Sequence, residues 1–149
     1  MAIFTIARRT KFFYYGNKRG FLNGNDMDDN VMEKNTDRWF AGLKRVWIEK
    51  DIEGVRELLS TDFEYYENPF GLPLTTWESV RNAWQGVRDQ DISKLEILPL
   101  ISGDTEGMAM YELAFRDGQG SDREVRGAYY VKLDSEGRAI RFRRWRVAA

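Results

Sequence analysis

Two periodicities divide the chain. From Val31 to about Lys50, Trp39, Phe40, Leu43, Val46 and Trp47 recur at helical spacing on one broad face. Asn30, with Glu33 three residues on, is placed to cap that helix. Asp51 then opens a short second helix whose apolar positions are Ile52, Val55, Leu58 and Leu59. Phe63–Asn68 reads as a strand stopped by Pro69 and Gly71. Thr75 and Glu78 have the spacing of a capping box and start a third helix carrying Trp77, Val80, Ala83, Trp84 and Val87. Beyond it the period falls to two. Four strands follow, at Ser93–Ile101, Gly107–Arg116, Arg123–Leu133 and Ala139–Val147. The turn signals Gly103-Asp104, Asp117-Gly118 and Asp134–Gly137 separate them. Hairpin spacing predicts an antiparallel sheet, and helices followed by a meander predict an α+β fold.

Composition removes chemistry rather than naming it. The 149 residues contain no cysteine and no histidine. Thiol nucleophiles, Ser-His-Asp and Cys-His catalysis and the usual transition-metal ligands are excluded; no metal site and no cofactor are expected. Aromatic residues make up 14%, enough to line an enclosed space. No apolar run is long enough to span a membrane.

Charge is unevenly placed. Residues 1–25 hold Arg8, Arg9, Lys11, Lys18 and Arg19 and no acid, which leaves 18 of the 23 basic side chains and all 24 acidic ones on the rest. Residues 1–29 are therefore expected to be a basic, poorly ordered extension, and residues 30–149 the domain; Met27 and Met32, where the composition changes, are alternative starts. The apolar stretch Ala2–Ala7 is short and precedes the charges, the reverse of a secretory signal, so a cytoplasmic location is expected. The acidic body argues against nucleic acid as a partner.

Several segments resemble the nuclear transport factor 2-like superfamily and, within it, the SnoaL-like branch. They are Trp47-Ile48-Glu49-Lys50-Asp51, Leu58-Leu59-Ser60-Thr61-Asp62, Tyr66-Glu67-Asn68-Pro69-Phe70-Gly71 and Leu133-Asp134-Ser135-Glu136-Gly137-Arg138. The resemblance spans about residues 33–147 and implies a cystatin-like cone, a curved antiparallel sheet wrapped around a long N-terminal helix with a pocket at its open end. It also implies a homodimer through the sheet. Tyr111 and Phe115, or Trp145 and Val147, would supply the apolar outer face.

The superfamily hosts isomerases, cyclases, hydrolases and non-catalytic binders, so function rests on the site. Where steroid-isomerase-like members carry the proton-shuttling Asp, this chain has Asn68, which is no base. Leu43 stands near the position of their oxyanion Tyr, and Tyr129 at that of their protonated Asp. Tyr66 and Asn68 match the water-positioning pair of limonene-type epoxide hydrolases, but Leu113, Phe115 and Arg144 stand where the Asp, Arg and Asp of those enzymes belong. The resemblance thus implies a small-molecule protein taking up an apolar or aromatic ligand. It is either a cofactor-independent lyase, cyclase or hydrolase, or a non-catalytic binding or dimerisation module.

The site residues expected are Tyr66, Asn68 and Tyr129 lining one cavity, Trp47 in its wall, and Arg144 holding an anionic group. Arg144 in a surface ion-pair row with Glu112 and Glu124 is the alternative. Glu112, on a strand face with Met108, Met110 and Ala114, is the candidate acid or base if it is buried. Otherwise it pairs with an arginine of a neighbouring strand.

Overall fold

The computed structural model describes residues 32–148. The basic extension, Asn30 and Val31 lie outside the described residues. Helix α1 spans Asn35–Ile48, and its buried face is the expected one: Trp39, Phe40, Leu43, Val46 and Trp47. It begins later than the periodicity suggests. Thr36 turns its N–H away from the helix, to the Gly103 carbonyl at 3.1 Å, and its Oγ1 accepts from the Gly103 N–H at 2.9 Å. The start of α1 is thereby fastened to the turn between two strands. Gly107 makes this possible, because a Cβ there would lie 2.7 Å from the Thr36 side chain. Helix α2, Ile52–Glu57, is capped as expected by Asp51, whose carboxylate accepts from the Gly54 N–H at 2.9 Å.

Strand β1 runs Leu59–Tyr66. Helix α3, Trp77–Ala83, is capped by Thr76 rather than Thr75, and gives way to a 3-10 helix over Gln85–Asp89. Strands β2 (Asp91–Ile101), β3 (Glu106–Arg116), β4 (Asp122–Leu133) and β5 (Ala139–Ala148) follow. They lie within two residues of the expected bounds. Their order is β1-β5-β4-β3-β2. The antiparallel expectation holds for β2 to β5; β1 is added parallel to β5. Register shifts interrupt β1, β2 and the β4–β5 pair, and such bulges bend a sheet. The five-stranded sheet is curved.

α1 packs against β2, β3 and β4. Phe142 of β5 is 1% exposed and sits at the centre of the aromatic core. Its ring centroid is 4.8 Å from Tyr65, 5.3 Å from Tyr129 and 5.5 Å from Trp39. Such pairs stabilise by roughly 0.5–1.5 kcal/mol each beyond the area they bury. Among the described residues no helix is long and apolar enough to cross a membrane.

Candidate functional site

The inner face of the sheet is set by strand alternation. Ala109, Tyr111 and Leu113 of β3 and Val125, Tyr129 and Val131 of β4 are buried. On β5, Phe142 and Arg144 share that face. On β1 the inward residues are Phe63 and Tyr65, and Glu67 follows them just past the strand end. Tyr65, Glu67, Tyr111, Tyr129 and Arg144 thereby form one polar group in an aromatic surrounding. Tyr129 and Arg144 are direct cross-strand partners. Tyr111 stands opposite Gly127. A Cβ on Gly127 would approach the Trp145 carbonyl oxygen to 1.8 Å and the Tyr111 ring to 2.9 Å, so the glycine lets that ring settle against β4.

The group is linked by hydrogen bonds. The Trp84 indole N–H donates to the Tyr65 hydroxyl at 3.0 Å. Arg144 donates from Nη2 to the Glu67 carboxylate, and that carboxylate is close enough to Tyr65 to help raise its pKa. The Arg144 side chain is 16% exposed and that of Glu67 36%. Burial works against the charge on Arg144, but Tyr65, Glu67, Tyr129 and Tyr111 more than offset it, and its pKa is raised. Burial drives the phenols of Tyr65, Tyr129 and Tyr111 upward, so all three are neutral donors at pH 7. Three buried polar atoms have no partner among the described residues: Tyr111 Oη, Tyr129 Oη and Arg144 Nε. All belong to this group. An unmet buried donor costs roughly 1–3 kcal/mol.

The expected site residues divide. Tyr129 and Arg144 are in the cluster. Trp47 is buried behind it, 5.1 Å from the Trp84 ring, with its indole N–H donating to Gln90 at 3.0 Å. Tyr66 and Asn68 point the other way, because the inward register of β1 is one residue off the expected one. Tyr66 lies under the Arg143 guanidinium, 4.2 Å from ring centroid to Cζ. Asn68 is exposed, and its Oδ1 accepts from the Phe70 N–H at 3.1 Å, opening the turn before α3. Glu112 is on the outer face. It accepts from Lys94 and lies 3.4 Å from Arg126. The hydrogen bond from Lys94 lowers its pKa, the reverse of what a buried acid would show. Arg144 pairs with Glu67, not with Glu112 or Glu124.

Sequence reasoning missed Tyr65 and Glu67 as site residues. Their signal was the pattern Phe63, Tyr65, Glu67 itself, which fits inward placement once an arginine faces the acid. Tyr111 was assigned to the outer face for a dimer contact and lies inside, 2% exposed. Among the described residues no group of three or more acidic side chains comes together that could hold a metal ion.

No protein-family model matches the chain, and no curated protein matches it. Solved structures do. The chain is similar to a Δ5-3-ketosteroid isomerase from Mycobacterium sp., with a TM-score of 0.62 and 17% identity over 78% of this chain and 99% of that one. It is similar to a computationally designed 17-OHP binder, with a TM-score of 0.61 and 20% identity over 79% and 98%. It is similar to an LEH-like epoxide hydrolase from M. tuberculosis, with a TM-score of 0.58 and 15% identity over 76% and 83%. These likenesses are of fold: the chain has the fold of the nuclear transport factor 2-like superfamily.

Proposed function

We propose that this NTF2-like chain holds a small, largely apolar or aromatic molecule against the inner face of its sheet and grips one oxygen of it with Tyr111, Tyr129 and Arg144. Three buried polar atoms with no partner among the described residues, set among aromatic side chains, carry this reading. Arg144 Nε can only donate, and both phenols can donate, so the group suits a carbonyl, phenol or acid oxygen. The similarity to a steroid isomerase and to a designed 17-OHP binder supports a ligand of that size and polarity.

Within this reading the protein is a SnoaL-like, cofactor-independent lyase, cyclase or hydrolase. Glu67, the carboxylate beside the tyrosines, takes the acid/base part that the sequence assigned to Glu112. One observation favours the alternative, non-catalytic binding: Glu67 is already engaged by Arg144. The protein is further proposed to work as a homodimer through the outer face of the sheet.

Native mass spectrometry of the purified protein, followed by thermal-shift titration with a steroid ketone and an aromatic acid, tests the binding reading. A co-purified small molecule, or a rise in Tm abolished by Tyr111→Phe/Tyr129→Phe, is expected. No co-purified molecule and no shift with either probe would refute it. Turnover of a bound compound that Glu67→Gln abolishes while binding persists selects the enzyme; binding without turnover selects the binder.

A further inference from the structure

A cavity of about 720 Å³ opens where the C-terminal end of α2, the first half of β1, the N-terminal end of α3 and the β4–β5 turn meet. It shares no residue with the tyrosine and arginine cluster. Arg56, Arg138, Thr61, Thr75, Phe63 and Trp77 are among the residues that line it. Two guanidiniums stand against a single carboxylate, Glu57, so the lining is net positive and rich in donors.

These groups are ones the fold leaves unused. Thr76 caps α3, which leaves the Thr75 hydroxyl outside the cap. Trp39, Trp47 and Trp84 each donate their indole N–H to a protein acceptor; for Trp77 there is none among the described residues. Arg56 makes no ion pair among the described residues, and the guanidinium of Arg138 has one, a 3.9 Å contact to Glu136 with both side chains exposed. The backbone at Arg138 is nonetheless held in place. Its backbone N–H donates to Asp134 Oδ1 at 3.0 Å, and the next residue's N–H, from Ala139, donates to the Leu58 carbonyl beside β1 at 2.8 Å. The turn bearing Arg138 is thus stapled to the strand that floors the cavity.

We propose that this cavity is a second binding site, for a small aromatic oxyanion: an aryl carboxylate or aryl phosphate whose ring lies against Trp77 and Phe63 and whose acid group meets Arg56 and Arg138. The volume lies within the roughly 300–1,000 Å³ usual for small-molecule sites. Charge-assisted bonds from guanidinium to carboxylate or phosphate supply the specificity.

The test is a titration of the full-length ¹⁵N-labelled protein with 2-naphthoate, 2-naphthyl phosphate and methyl 2-naphthoate, following the tryptophan indole N–H signals. At least one acid is expected to shift the Trp77 signal and to bind about tenfold or more tightly than the neutral ester. Arg56→Ala/Arg138→Ala is expected to weaken that acid by about tenfold or more. Both arginines are exposed, so this variant should fold; Arg138→Gln alone serves as a second variant and should weaken binding less. Which acid binds separates a carboxylate from a phosphate source. The proposal falls if neither acid binds, if the Trp84 signal moves while Trp77 stays still, if the ester binds as well as the acids, or if the arginine variants leave binding unchanged.

Discussion

The rings of Tyr111 and Tyr129 lie 5° from parallel with their centroids 4.2 Å apart, and neither hydroxyl has a partner among the described residues. A buried hydroxyl that makes its hydrogen bond contributes about 1 kcal/mol, whereas one that does not is a cost. Tyr111→Phe and Tyr129→Phe should therefore leave the ligand-free protein as stable as wild type, or slightly more so. Tyr65→Phe is the contrast, because it removes the acceptor of the buried Trp84 indole N–H. It should cost about 1–3 kcal/mol. Urea unfolding of the three variants decides; a loss in Tyr129→Phe as large as that in Tyr65→Phe would show that its hydroxyl is already satisfied.

The ion pair between Glu67 and Arg144 is half sheltered, and breaking it from one side should cost more than replacing it whole. Glu67→Gln leaves the Arg144 charge facing three neutral phenols. It should lower stability by about 1–2 kcal/mol, the low end for such pairs because Glu67 is itself over a third exposed. Glu67→Gln combined with Arg144→Met should recover most of that. A double-mutant cycle measures the coupling, and strictly additive losses would mean that the two residues do not depend on each other.

Raised phenols make stability depend on alkaline pH. Tyr65, Tyr111 and Tyr129 all sit above their ordinary value of 10.0, chiefly through burial. Above pH 10 the unfolded chain has released these protons and the folded chain has not, so unfolding gains. Stability should be flat across neutral pH and then fall as pH rises past about 10, each retained proton adding up to about 1.4 kcal/mol per pH unit. Denaturation midpoints across that range, with phenolate absorbance as the second signal, check this. A midpoint that holds through pH 11, or phenolate that forms well before unfolding, would contradict it.

The fold was legible because its signals are redundant. Helix α1 shows one apolar face five residues deep, and each hairpin pairs period-two alternation with a glycine turn. The polar site was less legible, for two physical reasons. At Tyr65-Tyr66 two adjacent tyrosines fit either face, and alternation cannot choose between them. What chooses is the neighbourhood across strands. Glu64 finds Arg141 at 2.5 Å, Tyr66 finds Arg143, and Glu67 finds Arg144, and those partners lie more than seventy residues away. Glu112 shows the converse. Its Met and Ala neighbours suggested burial, but Lys94 and Arg126 come to it from the strands on either side. The start of α1 was misplaced for the same reason, since a long-range bond from Thr36 to Gly103 ends the helix where local propensity does not.

The outer face of the sheet carries the last prediction. Cross-strand register places Leu98, Met110, Ala128 and Trp145 in one row across β2, β3, β4 and β5. Leu98 is 53% and Met110 47% exposed. A row of apolar side chains spanning four strands is more than a scatter of single exposed residues, and such patches mark contact surfaces. The flanking charges are already matched within the chain, Glu112 by Lys94 and Arg126, so a second copy would bring no unpaired charge against itself. A stable contact of this kind needs roughly 800 Å² from each partner, which a four-strand face can supply. Sedimentation equilibrium at micromolar concentration should give twice the 17.5 kDa chain mass, and Met110→Lys, which sets a charge in the middle of this apolar row, should return the monomer without lowering its helix and strand content. A wild-type protein that sediments at 17.5 kDa, or a Met110→Lys variant that stays dimeric, would place association elsewhere or remove it.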